Sequence, residues 1–67
     1  MIKARLLPDA VDRVINVEKI RARDLLKILG FEEDEALIIK NGRLVSDLDE
    51  IIQANDDVKV VREAIGG

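Results

Sequence analysis

Ala36-Leu37-Ile38-Ile39-Lys40-Asn41-Gly42-Arg43-Leu44-Val45 decides the fold. Two apolar runs flank an Asn-Gly pair, and both central positions of a type I′ turn need the positive φ that Asn and Gly tolerate best. The segment therefore reads as a β-hairpin in which Lys40 faces Arg43. With that register, Ile38 and Val45 share one face, while Leu37, Ile39 and Leu44 share the other. The face bearing Lys and Arg is taken as the wetter one, which predicts Leu37, Ile39 and Leu44 in the core.

On the N-terminal side, Met1–Leu7 alternates as a strand, with Ile2, Ala4 and Leu6 on one face and Lys3, Arg5 and Leu7 on the other. Pro8-Asp9-Ala10 supplies turn chemistry, and Asp12–Val17 returns as a second strand with Ile15 and Val17 inward. From Ala22 or Arg23 the period changes to that of a helix, carried by Leu25, Leu26, Ile28 and Leu29 and closed by Gly30 at the C-cap. Asp24 suits the positive end of the helix dipole. Glu32–Glu35 reads as a solvated acidic loop rather than a cation site, because it lacks the spaced ligands and turn glycine of a calcium loop.

On the C-terminal side, Ser46–Asn55 is a connection anchored by Leu48, Ile51 and Ile52. Asn55-Asp56-Asp57 is a turn. Val58–Arg62 is a last strand with Val58 and Val60 inward. The expected organisation is one α+β domain over residues 1–62, in the order ββαββ, connection, β. A flexible tail follows over residues 63–67.

Composition removes whole classes of function. The 67 residues contain no Cys and no His, so thiol nucleophiles, imidazole bases and Cys/His zinc sites are excluded. Eleven Lys and Arg against fourteen Asp and Glu give a net charge of −3, which argues against nucleic-acid binding. No apolar run approaches the ~18 residues of a membrane span, and no signal peptide is visible. The expectation is a cytoplasmic monomer that is not an enzyme.

Three features together carry a resemblance. They are the hairpin–helix opening, the stretch 36–45, and the ending Asp57-Val58-Lys59-Val60-Val61-Arg62-Glu63-Ala64-Ile65-Gly66-Gly67. The chain resembles the β-grasp, or ubiquitin-like, fold, a mixed five-strand sheet around one helix. Within it the chain is similar to the sulfur carriers of thiamine and molybdopterin synthesis (ThiS and MoaD type) and to the archaeal small ubiquitin-like modifiers. It departs from ubiquitin at Glu63, where ubiquitin carries arginine, and lacks the prolines common near MoaD-type endings.

The resemblance implies that a ubiquitin-activating-like enzyme, using ATP and Mg²⁺, adenylates the Gly67 carboxylate. No cofactor is held by the chain itself. Gly66 and Gly67, without Cβ atoms, suit a narrow channel, and Ala64 and Ile65 would be gripped there. A sulfur donor would then form a thiocarboxylate for a downstream synthase or thiolase in thiamine, molybdopterin or tRNA thiolation. An alternative is a protein modifier joined to lysines of target proteins through Gly67. A further alternative is a binding module that uses only its exposed sheet face. That face is expected to carry Leu7, Ile38 and Val61, ringed by Lys3, Lys40, Arg43 and Lys59 and by Arg5, with Val14, Asn16 and Val45 beside them. It would hold five cations and no carboxylate, suited to a partner with an acidic surface.

Overall fold

The computed structural model describes residues 1–63. The first hairpin is β1 (Ile2–Leu7) and β2 (Val11–Ile15), paired antiparallel with Ile2 opposite Ile15. A three-residue strand, β3 (Lys19–Arg21), leads straight into α1 (Ala22–Leu29). The second hairpin is β4 (Ala36–Lys40) and β5 (Arg43–Leu44), and β6 (Ile51–Gln53) and β7 (Val58–Arg62) complete the chain.

Five strands form one sheet in the order β2-β1-β7-β4-β5, in which β1 and β7 run parallel and the remaining pairs antiparallel. The first and last strands thus lie side by side in the middle, and α1 supplies the buried residues opposite them. The fold is β-grasp-like, as expected. The proposed tail falls largely on residues 64–67, which lie outside the described residues.

Local chemistry explains the helix ends. Arg21 at the N-cap offers no side-chain acceptor, so the connection before β6 caps the helix instead. The carbonyls of Glu50 and Leu48 accept from the backbone N–H groups of Ala22 and Arg23, each at 2.9 Å. Asp24 lies in the first turn as expected and bonds Arg21 at 3.1 Å. At the other end Gly30 adopts φ 89°, and the N–H groups of Gly30 and Phe31 bond the carbonyls of Lys27 and Leu26. This is a Schellman closure, which requires the left-handed conformation that glycine takes without strain.

The core is aliphatic. Ile2, Ala4 and Ile15 from the first hairpin meet Leu25, Leu26 and Leu29 of the helix. Ile38, Val58 and Val60 of β4 and β7, Ile52 of β6 and Val45 just after β5 join them, with Ala22 and Ala36 filling in. Full burial of each large side chain is worth about 1.5–3 kcal/mol. No buried polar or charged residue interrupts this cluster among the described residues.

Three expectations are corrected here. The hairpin register is right, with Lys40 opposite Arg43 and Ile39 opposite Leu44, but its facing is reversed. Ile38 and Val45 are buried, whereas Leu37 and Leu44 are exposed and Ile39 is half-buried. The pairing of β4 with β7 decides this: Ile38 lies opposite Val60 and Lys40 opposite Val58, and opposed residues share a face. Lys40 sits at the end of that face, where its ammonium reaches the Glu50 carboxylate at 2.6 Å and the Ile51 carbonyl at 3.3 Å. A charge at a hairpin's end therefore says little about the strand's middle.

Second, the stretch between the hairpin and β7 is more than a connection. Its β6 pairs with β3 as a separate two-stranded ribbon, Ile20 opposite Ile52. Third, Ile28, expected in the helix's apolar stripe, and Ile51, expected as an apolar anchor of the connection, are exposed.

The two turns at one end of the sheet are joined by a single side chain. Asn41, with φ 52° beside Gly42 at φ 82°, donates from Nδ2 to Asp56 Oδ1 at 3.0 Å. Its Oδ1 accepts from the Asp57 N–H at 2.8 Å, and its own N–H donates to the Asp57 carbonyl at 2.8 Å. The Gln53 N–H, first, and then the Asn41 amide hold the Asp56 carboxyl below its ordinary range. Both bonds favour the charged form, so the stability they contribute is complete above the unfolded carboxylate pKa. It drains away as pH falls through the lower, folded value. A pH titration followed by denaturant midpoint should show this acid loss in the wild type and a smaller one in Asp56→Asn. Equal acid sensitivity of the two proteins would contradict it.

Candidate functional site

Among the described residues, the sheet has one face against the helix and one face left free. Alternation places Lys3, Arg5 and Leu7 of β1 on the free face, and the strand registers bring their neighbours to them. Leu7 lies opposite Val61, and Val61 lies opposite Leu37, which makes a continuous apolar row across β1, β7 and β4. Leu7 and Val61 are half-buried and Leu37 is 40% exposed, so each side chain still offers surface.

A second row runs beside it. Asp12, Arg5, Lys59, Ile39 and Leu44 are successive cross-strand partners on β2, β1, β7, β4 and β5. Arg5 and Lys59 are like charges placed directly opposite, a destabilising arrangement unless each finds an acid. Arg5 bonds Asp12 at 3.0 Å and Lys59 approaches Asp57 at 3.5 Å. With Lys3 and Val58 these residues line a shallow cleft of about 340 Å³.

Of the residues expected on this face, Leu7, Val61, Lys3 and Lys59 are together as anticipated, with Arg5 and Val14 beside them. Ile38 is not. It is 2% exposed and belongs to the core, as does Val45. Lys40 and Arg43 follow Ile38 to the helix side of the sheet, since Lys40 pairs with Val58 and Arg43 with Lys40. Leu37, Ile39 and Leu44 take their place, and the pairing of β4 with the evidently inward Val58 and Val60 is the signal that identifies them. The free face is consequently more apolar and less cationic than expected, and it includes the carboxylate of Asp12.

The end of β7 is tied down on three sides. Arg62 lies opposite Ala36, its guanidinium stands 5.8 Å from the centroid of the Phe31 ring, and one of its nitrogens approaches Asp9 at 3.6 Å. The next residue, Glu63, donates its N–H to the Glu35 carbonyl at 2.9 Å. Residues 63–67 were expected as tail; Glu63 is instead bonded to Glu35, the residue before β4. Ala64, Ile65, Gly66 and Gly67 lie outside the described residues.

Ion pairs elsewhere serve the scaffold. Arg23 bridges Glu33 at 2.6 Å and Asp49 at 3.2 Å, which joins the helix start to two loops. Among the described residues no group of His, Cys, Asp or Glu is arranged to hold a metal ion. No helix there is long and apolar enough to cross a membrane.

No known protein family matches the chain, and no curated protein matches it either.

Proposed function

We propose that the chain is a sulfur carrier whose working group is the carboxylate of Gly67. The observation that supports this best is the placing of β7. It lies between β1 and β4 in the middle of a β-grasp-like sheet, and the residue that follows it, Glu63, is anchored through its N–H. Three residues separate that anchor from Gly67, and the four Cα-to-Cα steps between them span at most about 14 Å when fully extended. An enzyme acting on Gly67 must therefore bind the domain close to its own nucleotide site.

The chemistry divides between two proteins. A carboxylate oxygen of Gly67 attacks the α-phosphorus of ATP held with Mg²⁺ by an activating enzyme, and pyrophosphate leaves. A sulfide-level sulfur from a donor then attacks the carbonyl carbon, AMP departs, and a thiocarboxylate remains for a downstream synthase or thiolase. This chain contributes the electrophile and its delivery. The apolar row Leu7–Val61–Leu37, flanked by Lys3 and Lys59, is the surface we assign to the activating enzyme, with an apolar centre and a polar rim.

Intact-mass measurement of the untagged protein from its own cells tests the reading. A fraction heavier by about 16 Da, one oxygen exchanged for sulfur at the activated carboxyl, is the expected result. A chain wholly without this species under conditions of active sulfur transfer would overturn it. Gly-Gly remnants on lysines of other proteins, without the heavier species, would replace the carrier with a modifier.

A further inference from the structure

Asn41-Gly42 is the one Asn-Gly pair in the sequence, and both residues have positive φ. Glycine places no Cβ beside its own nitrogen, so that nitrogen can approach the preceding side chain's Cγ more closely than any other residue's can. The position is exposed, and nothing lies within 4 Å of where a Gly42 side chain would project. Water and base therefore reach it freely.

The reaction open to such a pair is balanced without any co-reactant but water. The Gly42 nitrogen loses its proton and bonds Asn41 Cγ, the Cγ–Nδ2 bond breaks, and ammonia leaves. Water then opens the resulting cyclic imide to a carboxylate, on the original backbone or on one lengthened through the side chain.

Both atoms of the Asn41 amide are already engaged away from Gly42. Nδ2 donates to Asp56 and Oδ1 accepts from the backbone of Asp57, at 3.0 and 2.8 Å. Asp56 is itself fixed, since its other oxygen accepts the Gln53 N–H at 2.7 Å. Turning Cγ towards the Gly42 nitrogen breaks both bonds at once. We propose that Asn41 is a site of spontaneous deamidation which the fold holds shut by clamping its amide between Asp56 and Asp57.

Reaction then requires the β4–β5 and β6–β7 turns to part first. Its rate in the folded protein is the unfolded-chain rate scaled by the fraction of time the clamp is open. The step is one-way in structure as well as in chemistry. Its product sets a carboxylate against the Asp56 carboxylate in place of a donor, and like charges so close cannot both stay ionised without cost. The lengthened backbone product also loses the two-residue turn that fixes the hairpin register.

The test incubates the wild-type chain in mildly alkaline buffer, with and without urea, and follows a gain of about 1 Da in the peptide containing Asn41, a thermolabile residue type. Deamidation should be roughly tenfold or more slower in the folded protein than in urea, and Asp56→Ala should recover much of the difference. Asp56→Asn, which keeps an oxygen acceptor for Nδ2, should fall between them. Equal rates with and without urea would overturn the proposal. So would a folded Asp56→Ala or Asp56→Asn protein that reacts at the wild-type rate. If Asp56→Ala does not fold, the wild-type comparison and Asp56→Asn still decide.

Discussion

Ile38→Ala should cost on the order of 3 kcal/mol of stability, whereas Leu37→Ala next to it should cost less than about 1 kcal/mol. Ile38 is fully enclosed between β7 and the helix layer, at 2% exposure, and removing three of its carbons leaves a cavity that neighbours on a sheet cannot collapse to fill. A domain of this length has about 3–10 kcal/mol in total, so the loss takes a large share of it. The melting temperature should fall on the order of 15 °C. Leu37 stands on the free face, and its truncation exposes no void. Thermal or urea unfolding of the two variants reads the difference directly. If Leu37→Ala proved as damaging as Ile38→Ala, the facing of β4 described above would be wrong.

The same pair of residues shows what could be read from sequence alone. Parity along β4 and the pairing across Asn41-Gly42 follow from local chemistry, because a two-residue turn with positive φ at both positions leaves one register. Which parity faces the core is a non-local fact. It depends on β7, whose Val58 and Val60 lie opposite Lys40 and Ile38. The inward assignment of Val58 and Val60 was available, but no sequence signal says which strand they pair with. Lys40 and Arg43 then pointed the wrong way, since Lys40 keeps its charge satisfied at the face's end through Glu50, whose carboxylate holds the ammonium above the ordinary lysine range.

The ribbon of β3 and β6 was hidden for a related reason. Each strand has three residues, enough for one alternation, and Lys19 finds Gln53 across more than thirty intervening positions, well beyond any hairpin signal. By contrast α1 was legible because its determinants are adjacent in sequence: Leu25, Leu26 and Leu29 on one side, and Gly30 where the left-handed closure falls. The site divides likewise. Leu7 and Val61 follow from alternation within single strands, while Leu37 joins them only through the order of strands in the sheet.

Replacing Gly66 and Gly67 together by alanine should abolish activation while leaving the domain's melting temperature unchanged. The core cluster and the strand pairs of the described residues lie within residues 1–63, so the substitution replaces none of their side chains. The carboxylate itself survives, with the same charge and the same intrinsic nucleophilicity. What changes is access: two added Cβ atoms narrow the allowed backbone conformations and thicken the chain just where the proposed function puts it beside a bound nucleotide. Displacing a reacting atom by about 1 Å can cost a hundredfold in rate, and a decrease at least of that order is expected in ATP–pyrophosphate exchange with the activating enzyme. A Leu37→Asp variant separates delivery from docking. It should raise the concentration of carrier needed for half-maximal exchange and leave the saturated rate in place, because Gly66 and Gly67 are intact. Wild-type exchange and thiocarboxylate yield from the alanine-tailed protein would show that the terminal carboxylate reaches the nucleotide without the two glycines, and would remove the argument from access.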